Sequence, residues 1–143
     1  MRILVLDDDD VRHEYFARQF ANHDILHVHT YSECLNALLN NDWYDVVFLD
    51  HDLNDHGYRS VADERANYFQ RSLTRFSRPG LLDGRDVVED MVKMLPPEKV
   101  PSQVVVHSWN DAGGAEMMSM LNDAGYNALR WVFDPSKTIK ING

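Results

Sequence analysis

Apolar, mostly β-branched residues gather into short runs closed by polar ones: Arg2 to Leu6 (RILVL), Ile25 to His29 (ILHVH), Asp45 to Leu49 (DVVFL), Ser102 to His107 (SQVVVH) and Asn127 to Phe133 (NALRWVF). Runs of this length and composition predict strands. Between them the apolar spacing changes to three or four residues. Val11, Tyr15, Phe16 and Phe20 form one stripe, and Leu35, Leu38 and Leu39 a second, with Ser32 placed to cap it. A third helix follows Asp83-Gly84, carries Val87, Val88, Met91 and Leu95, and must stop before Pro96-Pro97. The fourth runs from about Ala112 to Ala124, with Gly125 as its stop.

Strands that alternate with helices predict a parallel sheet covered on both faces. The uninterrupted apolar runs agree, because a strand buried on both sides has no reason to alternate. Two places break the alternation. The stretch from Asn54 to Asp83 is too long for a strand-to-helix connection, and Ala62, Ala66, Phe69, Leu73 and Phe76 recur within it at helical spacing, which predicts an inserted helix. After the fifth strand too little chain remains for a full closing helix. With no internal repeat or low-complexity linker, residues 1–143 are expected to form one α/β domain, with an insertion at about 54–83.

Charge narrows the partners. The 23 acidic against 14 basic residues give a net charge of -9, which disfavours broad double-stranded DNA binding. The single cysteine, Cys34, has no internal partner, and no stretch reads as a secretory leader or a membrane span. A cytoplasmic protein without membrane contact is the expectation.

The chemistry collects at the strand ends, where open α/β sheets place their sites. Asp7-Asp8-Asp9-Asp10 follows the first strand, Asp50-His51-Asp52 the third, and His107-Ser108-Trp109-Asn110 the fourth. Carboxylates brought together force protons onto one another unless a cation neutralises them. Oxygen donors suit Mg²⁺ or Mn²⁺, and an added imidazole shifts the preference toward Mn²⁺ or another transition ion. The simpler reading of an acidic run before a helix is capping and favourable dipole charge. His107 taken alone reads as a hydrogen-bonded structural imidazole, whereas His51 between two acids does not. His13, His23, His27, His29 and His56 read as surface or structural.

In order along the chain, ILVLDDD with Arg12 after it, FLDHDL, a glycine opening the third helix and HSWNDAGGAEM resemble the cyclic-phosphate-processing receiver-like domains of bacteria and phages. The resemblance covers nearly the whole chain and implies a flavodoxin-like, five-stranded receiver fold. It implies that Asp7 and Asp8 match the ion-holding acidic pair of receivers and Asp50 their phospho-accepting position. His51 and Asp52 are additions that set this family apart, and His107, Ser108 and Asn110 match its HS-x-N. Arg12 and Gly84 match the arginine after the acidic pair and the glycine before the third helix. Where receivers carry a lysine after the fifth strand, this chain has Asp134-Pro135, with Lys137 displaced. Losing that cation argues against a stable aspartyl phosphate and for acid-base or metal-assisted hydrolysis.

The expected function is therefore a metal-dependent phosphoesterase acting on cyclic or terminal phosphates of RNA or nucleotides, with RNA repair or phage interference as settings. Asp7, Asp8 and Asp50 would hold one divalent cation, Mg²⁺ or Mn²⁺. His51, His107, Asp52, Ser108 and Asn110 would serve catalysis, and Arg12, Gly84 and Arg75 substrate binding. Arg75 belongs to a set with Arg59, Arg65, Arg71 and Arg78 that would clamp phosphate as a lid, or lie on a solvated helix face. The alternative is an inactive, degenerate receiver that binds a nucleotide or a protein partner.

Overall fold

The computed structural model describes residues 1–40, 43–53, 82–137, 139 and 141. The expected inserted helix and Arg59, Arg65, Arg71, Arg75 and Arg78 lie outside the described residues. In chain order the elements are β1 (Arg2–Leu6), α1 (Asp10–Gln19), β2 (Asp24–Val28), α2 (Tyr31–Asn40), β3 (Val46–Leu49), α3 (Gly84–Met94), a 3₁₀ turn (Pro97–Lys99), β4 (Gln103–Val106), α4 (Asp111–Asp123) and β5 (Ala128–Arg130).

The strands form one parallel sheet in the order β2-β1-β3-β4-β5. Residues on successive positions of each strand face opposite sides, so each strand feeds two cores. Leu4, Leu6, Val47, Leu49, Val104 and Val106 pack with residues of α2, α3 and α4, including Leu35, Val88, Met91 and Leu121. Ile3, Val5, Val46, Phe48 and Val105 pack on the other face with Tyr15, Phe16 and Phe20. Among the described residues no helix follows β5. Phe133 and Ile139 instead join the second core beside Tyr15 and Phe16, so the end of the chain covers apolar surface without a helix.

Two local expectations are corrected. Ser32 is not the cap of α2. Thr30 is, its hydroxyl accepting the Glu33 amide at 3.1 Å, while Ser32 lies inside the first turn with its hydroxyl buried and unpartnered. Both residues suit a cap, and the one that precedes the first helical turn takes it. β5 is also shorter than the apolar run from Asn127 to Phe133 suggests: it ends at Arg130, and beyond it the Trp131 amide donates to Val106 O at 2.9 Å and the Phe133 amide to His107 O at 3.3 Å. The third helix, by contrast, starts where expected. Asp83 and Asp86 form a reciprocal capping box, and Leu95 caps its end.

The register aligns the strand ends. Leu6 pairs with both Val28 and Leu49, and Leu49 with Val106. The next residues, Asp7, Asp50 and His107, leave the sheet side by side, each still tied by its amide to the neighbouring strand: Asp7 N to Val28 O at 3.1 Å, Asp50 N to Leu6 O and His107 N to Leu49 O at 3.0 Å. Strand order reverses between β1 and β3, so this is also the topological switch point of the sheet. No described helix is long and apolar enough to cross a membrane.

Candidate functional site

The floor of the site is a buried, charged cup. One carboxylate oxygen each from Asp7, Asp8 and Asp50 lies within 4.8 Å of the others, a spacing from which three oxygens can share one cation. Asp7 side chain is fully buried and Asp50 nearly so. Arg12 reaches into the cup from α1. Its Nε donates to Asp7 Oδ2 at 2.7 Å and its Nη2 to Asp7 Oδ1 at 2.8 Å, a two-pronged pair, with longer contacts of 3.4 Å to Asp8 and to Asp50. His107 completes the floor. Its Nε2 lies 2.7 Å from Asp7 Oδ2 and must carry the proton, because a carboxylate can only accept. The His107 ring is fully buried against Phe16 and Phe48, and its Nδ1 has no hydrogen-bond partner.

These contacts pull the two central acids apart. Burial pushes the Asp7 carboxyl up, but hydrogen bonds from His107 and Arg12 outweigh it and hold the group well below the ordinary carboxylate range. Burial also pushes Asp50 up, and there it prevails: the nearby charge of His107 and Arg12 opposes it, Asp7 and Asp8 reinforce it, and the pKa rises to about 6. Asp7 is thus a fixed anion and Asp50 a carboxyl that titrates near neutrality.

The four-aspartate run divides between the two readings its sequence allows. Asp9 is the N-cap of α1, accepting the Val11 amide at 2.8 Å, and Asp10 sits in the first turn with an oxygen 2.9 Å from His29 Nε2. Those two cap and complement the helix, whereas Asp7 and Asp8 build the cup.

Against the floor stands a more open wall. His51 Nδ1 lies 2.7 Å from Asp52 Oδ1, and Asn110 Nδ2 is 3.3 Å from both. The Asp52 side chain is half exposed, the His51 side chain much less so. His51 lies under α4, where a Cβ on Gly113 would overlap its ring, and its Nε2 is 3.8 Å from Asp83. Asn110 caps α4 by accepting the Gly113 amide at 2.8 Å, and Ser108 Oγ accepts the Asn110 amide at 3.0 Å. Gly84 is where β3 and α3 come closest: its amide donates to His51 O at 2.8 Å and an added Cβ would overlap the Asp50 carbonyl. The amide of Gly84 is therefore spent on holding the turn.

Floor and wall enclose a cleft of about 280 Å³, lined by Asp8, Arg12, Asp50, Asp52, Ser108 and Trp109 among others. Trp109 is largely exposed, anchored by its indole N–H on Phe133 O at 2.8 Å, with the Arg12 guanidinium 5.5 Å from its ring centre. Asp134, where a receiver lysine would stand, turns back on Ser136, and Lys137 is mostly exposed at 4.0 Å from it. Among the described residues, Arg12 is the cation that meets the cup.

One cluster escaped sequence reasoning. His13, His27 and His29 were each expected to stand alone, yet they meet where α1 crosses β2, with ring centres of His13 and His29 4.4 Å apart. His13 Nε2 must donate to Asp7 O at 2.7 Å, so its Nδ1 is left to accept from His27 Nδ1, also at 2.7 Å. Burial lowers the pKa of both His13 and His27, consistent with neutral rings in this relay. Position i, i+2 on one strand puts His27 and His29 on one face, which was the readable signal. The partnership with His13 required the fold.

Comparison with known proteins gives two consistent findings. The family described as the cyclic-phosphate processing receiver domain matches residues 2–123. Solved structures with the same architecture include a CheY-like response regulator receiver domain from Methanospirillum hungatei JF-1, 16% identical, with a TM-score of 0.60 over 95% of this chain and 85% of that one. A second is a CheY-like receiver domain from Methylobacillus flagellatus, 18% identical, with a TM-score of 0.59 over 95% of this chain and 90% of that one. At those identities the likeness shows the fold. No curated protein sequence matches the chain.

Proposed function

The chain belongs to the cyclic-phosphate processing receiver family, and from that premise we propose that it is a divalent-metal-dependent phosphoesterase acting on cyclic or terminal phosphates of RNA or nucleotides. The observation that carries this reading is the convergence of Asp7, Asp8 and Asp50 within 4.8 Å at the foot of a cleft whose wall carries a His51–Asp52 pair. Three carboxylates of that spacing are a donor set for Mg²⁺ or Mn²⁺. Such an ion, when bound, supplies Lewis-acid polarisation of phosphate and a lowered pKa for water.

The chain's own residues divide the remaining work. Asp50, in the position a receiver would phosphorylate, stays a ligand because the cation that would stabilise its phosphoryl form is replaced by Asp134. His107, at the foot of the cleft, fixes Asp7 from below through its Nε2. Asp52 is the proton-handling group: half exposed at the cleft, it faces the space where a leaving ribose oxygen would lie, and His51 behind it donates to its carboxylate and can supply the proton in turn. Asn110 holds that pair in place. Ser108 lies at the cleft beside the first turn of α4, whose free amides favour an anion. A cleft of about 280 Å³ admits a phosphate with its ribose better than a whole polynucleotide segment, so an RNA end or a small nucleotide is the substrate class.

Replacing Asp50 with Ala tests the assignment. Hydrolysis of a 2′,3′-cyclic nucleotide should depend on Mn²⁺ or Mg²⁺ in the wild type and disappear in D50A; wild-type turnover in D50A would refute it. The competing reading is a binding module that captures a nucleotide without cleaving it, and the full engagement of the Asp7 carboxylate by Arg12, His107 and Asp9 favours it. It predicts ligand-dependent thermal stabilisation without product.

A further inference from the structure

Asp7 decides how an ion enters the cup, because its carboxylate is already fully committed. Each carboxylate oxygen offers two lone pairs. Oδ1 accepts from the Asp9 amide and from Arg12 Nη2, both at 2.8 Å, and Oδ2 accepts from Arg12 Nε and His107 Nε2, both at 2.7 Å. Four donors on four lone pairs leave nothing for a cation. The donors differ in what it takes to remove them. The Asp9 amide belongs to the N-cap of α1, and the His107 ring is wedged between Phe16 and Phe48, so neither can withdraw without shifting the packing around it. Arg12 alone is a long side chain that borders the cleft, partly exposed and facing the Trp109 ring.

We infer that Arg12 is the resident counter-ion of the cup, and that a divalent cation binds by exchange, taking Asp7 from the guanidinium and releasing Arg12 into the cleft as a two-pronged donor for a phosphate. The inference rests on the metal-dependent reading of the site and adds its regulation. Without the ion, the one described cation at the cup is spent on Asp7, Asp8 and Asp50 and is withheld from substrate. With it, the same fork is free, and a guanidinium matches phosphate oxygens as well as it matches carboxylate. Ion and phosphate should therefore bind with positive coupling, each raising the affinity of the other by the same factor. The buried acids also explain why a counter-ion is needed in the resting state: an uncompensated Asp7 in this setting would be costly.

The test uses the whole chain, titrated calorimetrically with Mn²⁺ alone and then with Mn²⁺ in the presence of inorganic phosphate. R12Q should bind Mn²⁺ on the order of tenfold tighter than the wild type, the factor that one charge-assisted hydrogen bond is worth. R12K keeps the charge but replaces the planar two-pronged fork with a compact ammonium that cannot match both carboxylate oxygens side by side, and should also bind more tightly; it serves if R12Q fails to fold without ion. Phosphate should tighten Mn²⁺ binding in the wild type and lose that effect in R12Q. A nitrogen-15 spectrum supplies a readout free of the affinity comparison: the Arg12 Nε–H signal, assigned by its loss in R12K, should shift on saturation with Mg²⁺. Equal Mn²⁺ affinity in wild type, R12K and R12Q, or an Arg12 signal unmoved by saturating Mg²⁺, overturns the exchange while leaving a metal site intact. Absence of Mn²⁺ binding in every form removes the metal reading itself and the exchange with it.

Discussion

The floor and the wall of the cleft are built from the same residue types and face opposite demands. On the floor, Asp7, Asp50 and His107 are buried, Arg12 reaches in from the cleft, and every charge is met by another at hydrogen-bond distance. On the wall, His51 and Asp52 make one close contact at 2.7 Å and the Asp52 carboxylate stands half in solvent. A buried charge that loses its partner is expensive, whereas an exposed pair contributes little to stability. In the function proposed above, the floor would therefore hold the ion, and the wall would exchange protons with what enters the cleft.

The contrast can be broken by substitution. Asp7→Ala strands the guanidinium of Arg12 and the Nε2 proton of His107 in a dry site, and should cost about 3–5 kcal/mol in chemical denaturation of the metal-free protein. A cost below 1 kcal/mol would mean the floor is wetter than its geometry implies.

Asp50 should behave in the opposite sense. Its folded pKa of about 6 lies above the ordinary aspartate value of 3.8, so the folded chain holds a proton there more tightly than the unfolded one. The stability from that proton is complete below 3.8, fades as pH rises, and is gone above about 6. Asp50→Asn, which cannot ionise, should therefore stabilise the metal-free protein by up to about 3 kcal/mol at pH 8, with the gain shrinking toward zero at pH 4. Denaturation midpoints in EDTA at the two pH values measure it, and a gain that does not depend on pH would contradict it.

On the wall, Asp52→Asn should leave stability within about 0.5 kcal/mol, yet lower hydrolysis of a 2′,3′-cyclic phosphate on the order of 10²-fold. Equal losses of stability and rate would make Asp52 part of the floor. The smallest effect belongs to Asn110→Ala, which removes the α4 cap and should cost about 1 kcal/mol by thermal denaturation.

The same contrast explains what could be read in the sequence. The carboxyl ends of β1 and β3 and the Asp83-Gly84 start of α3 were legible from local apolar patterning, and the rule that places sites beyond the carboxyl ends of parallel strands brought the acidic runs at Asp7 to Asp10 and Asp50 to Asp52 to one edge; the choice of Asp7, Asp8 and Asp50 within those runs came from the family resemblance. Arg12 was legible as a site residue through the family resemblance, but its grip on Asp7 was not. One turn of helix separates the two, and only the orientation of α1 against β1 turns that spacing into two hydrogen bonds. Thr30 against Ser32 as the cap of α2 is a one-turn ambiguity of the same kind, since both residue types cap well. The relay through His13 and His27 depended on a helix crossing an edge strand, for which a single chain carries no signal.

The claim at the centre is that the floor acids share a cation. A crystal of the full chain soaked in Mn²⁺ and measured at the manganese absorption edge tests it most directly. A single anomalous peak should lie about 2.0–2.6 Å from oxygens of Asp7, Asp8 and Asp50, with Arg12 moved off Asp7. A soaked crystal with no peak in the cup, and with Arg12 still paired to both oxygens of Asp7, would contradict it.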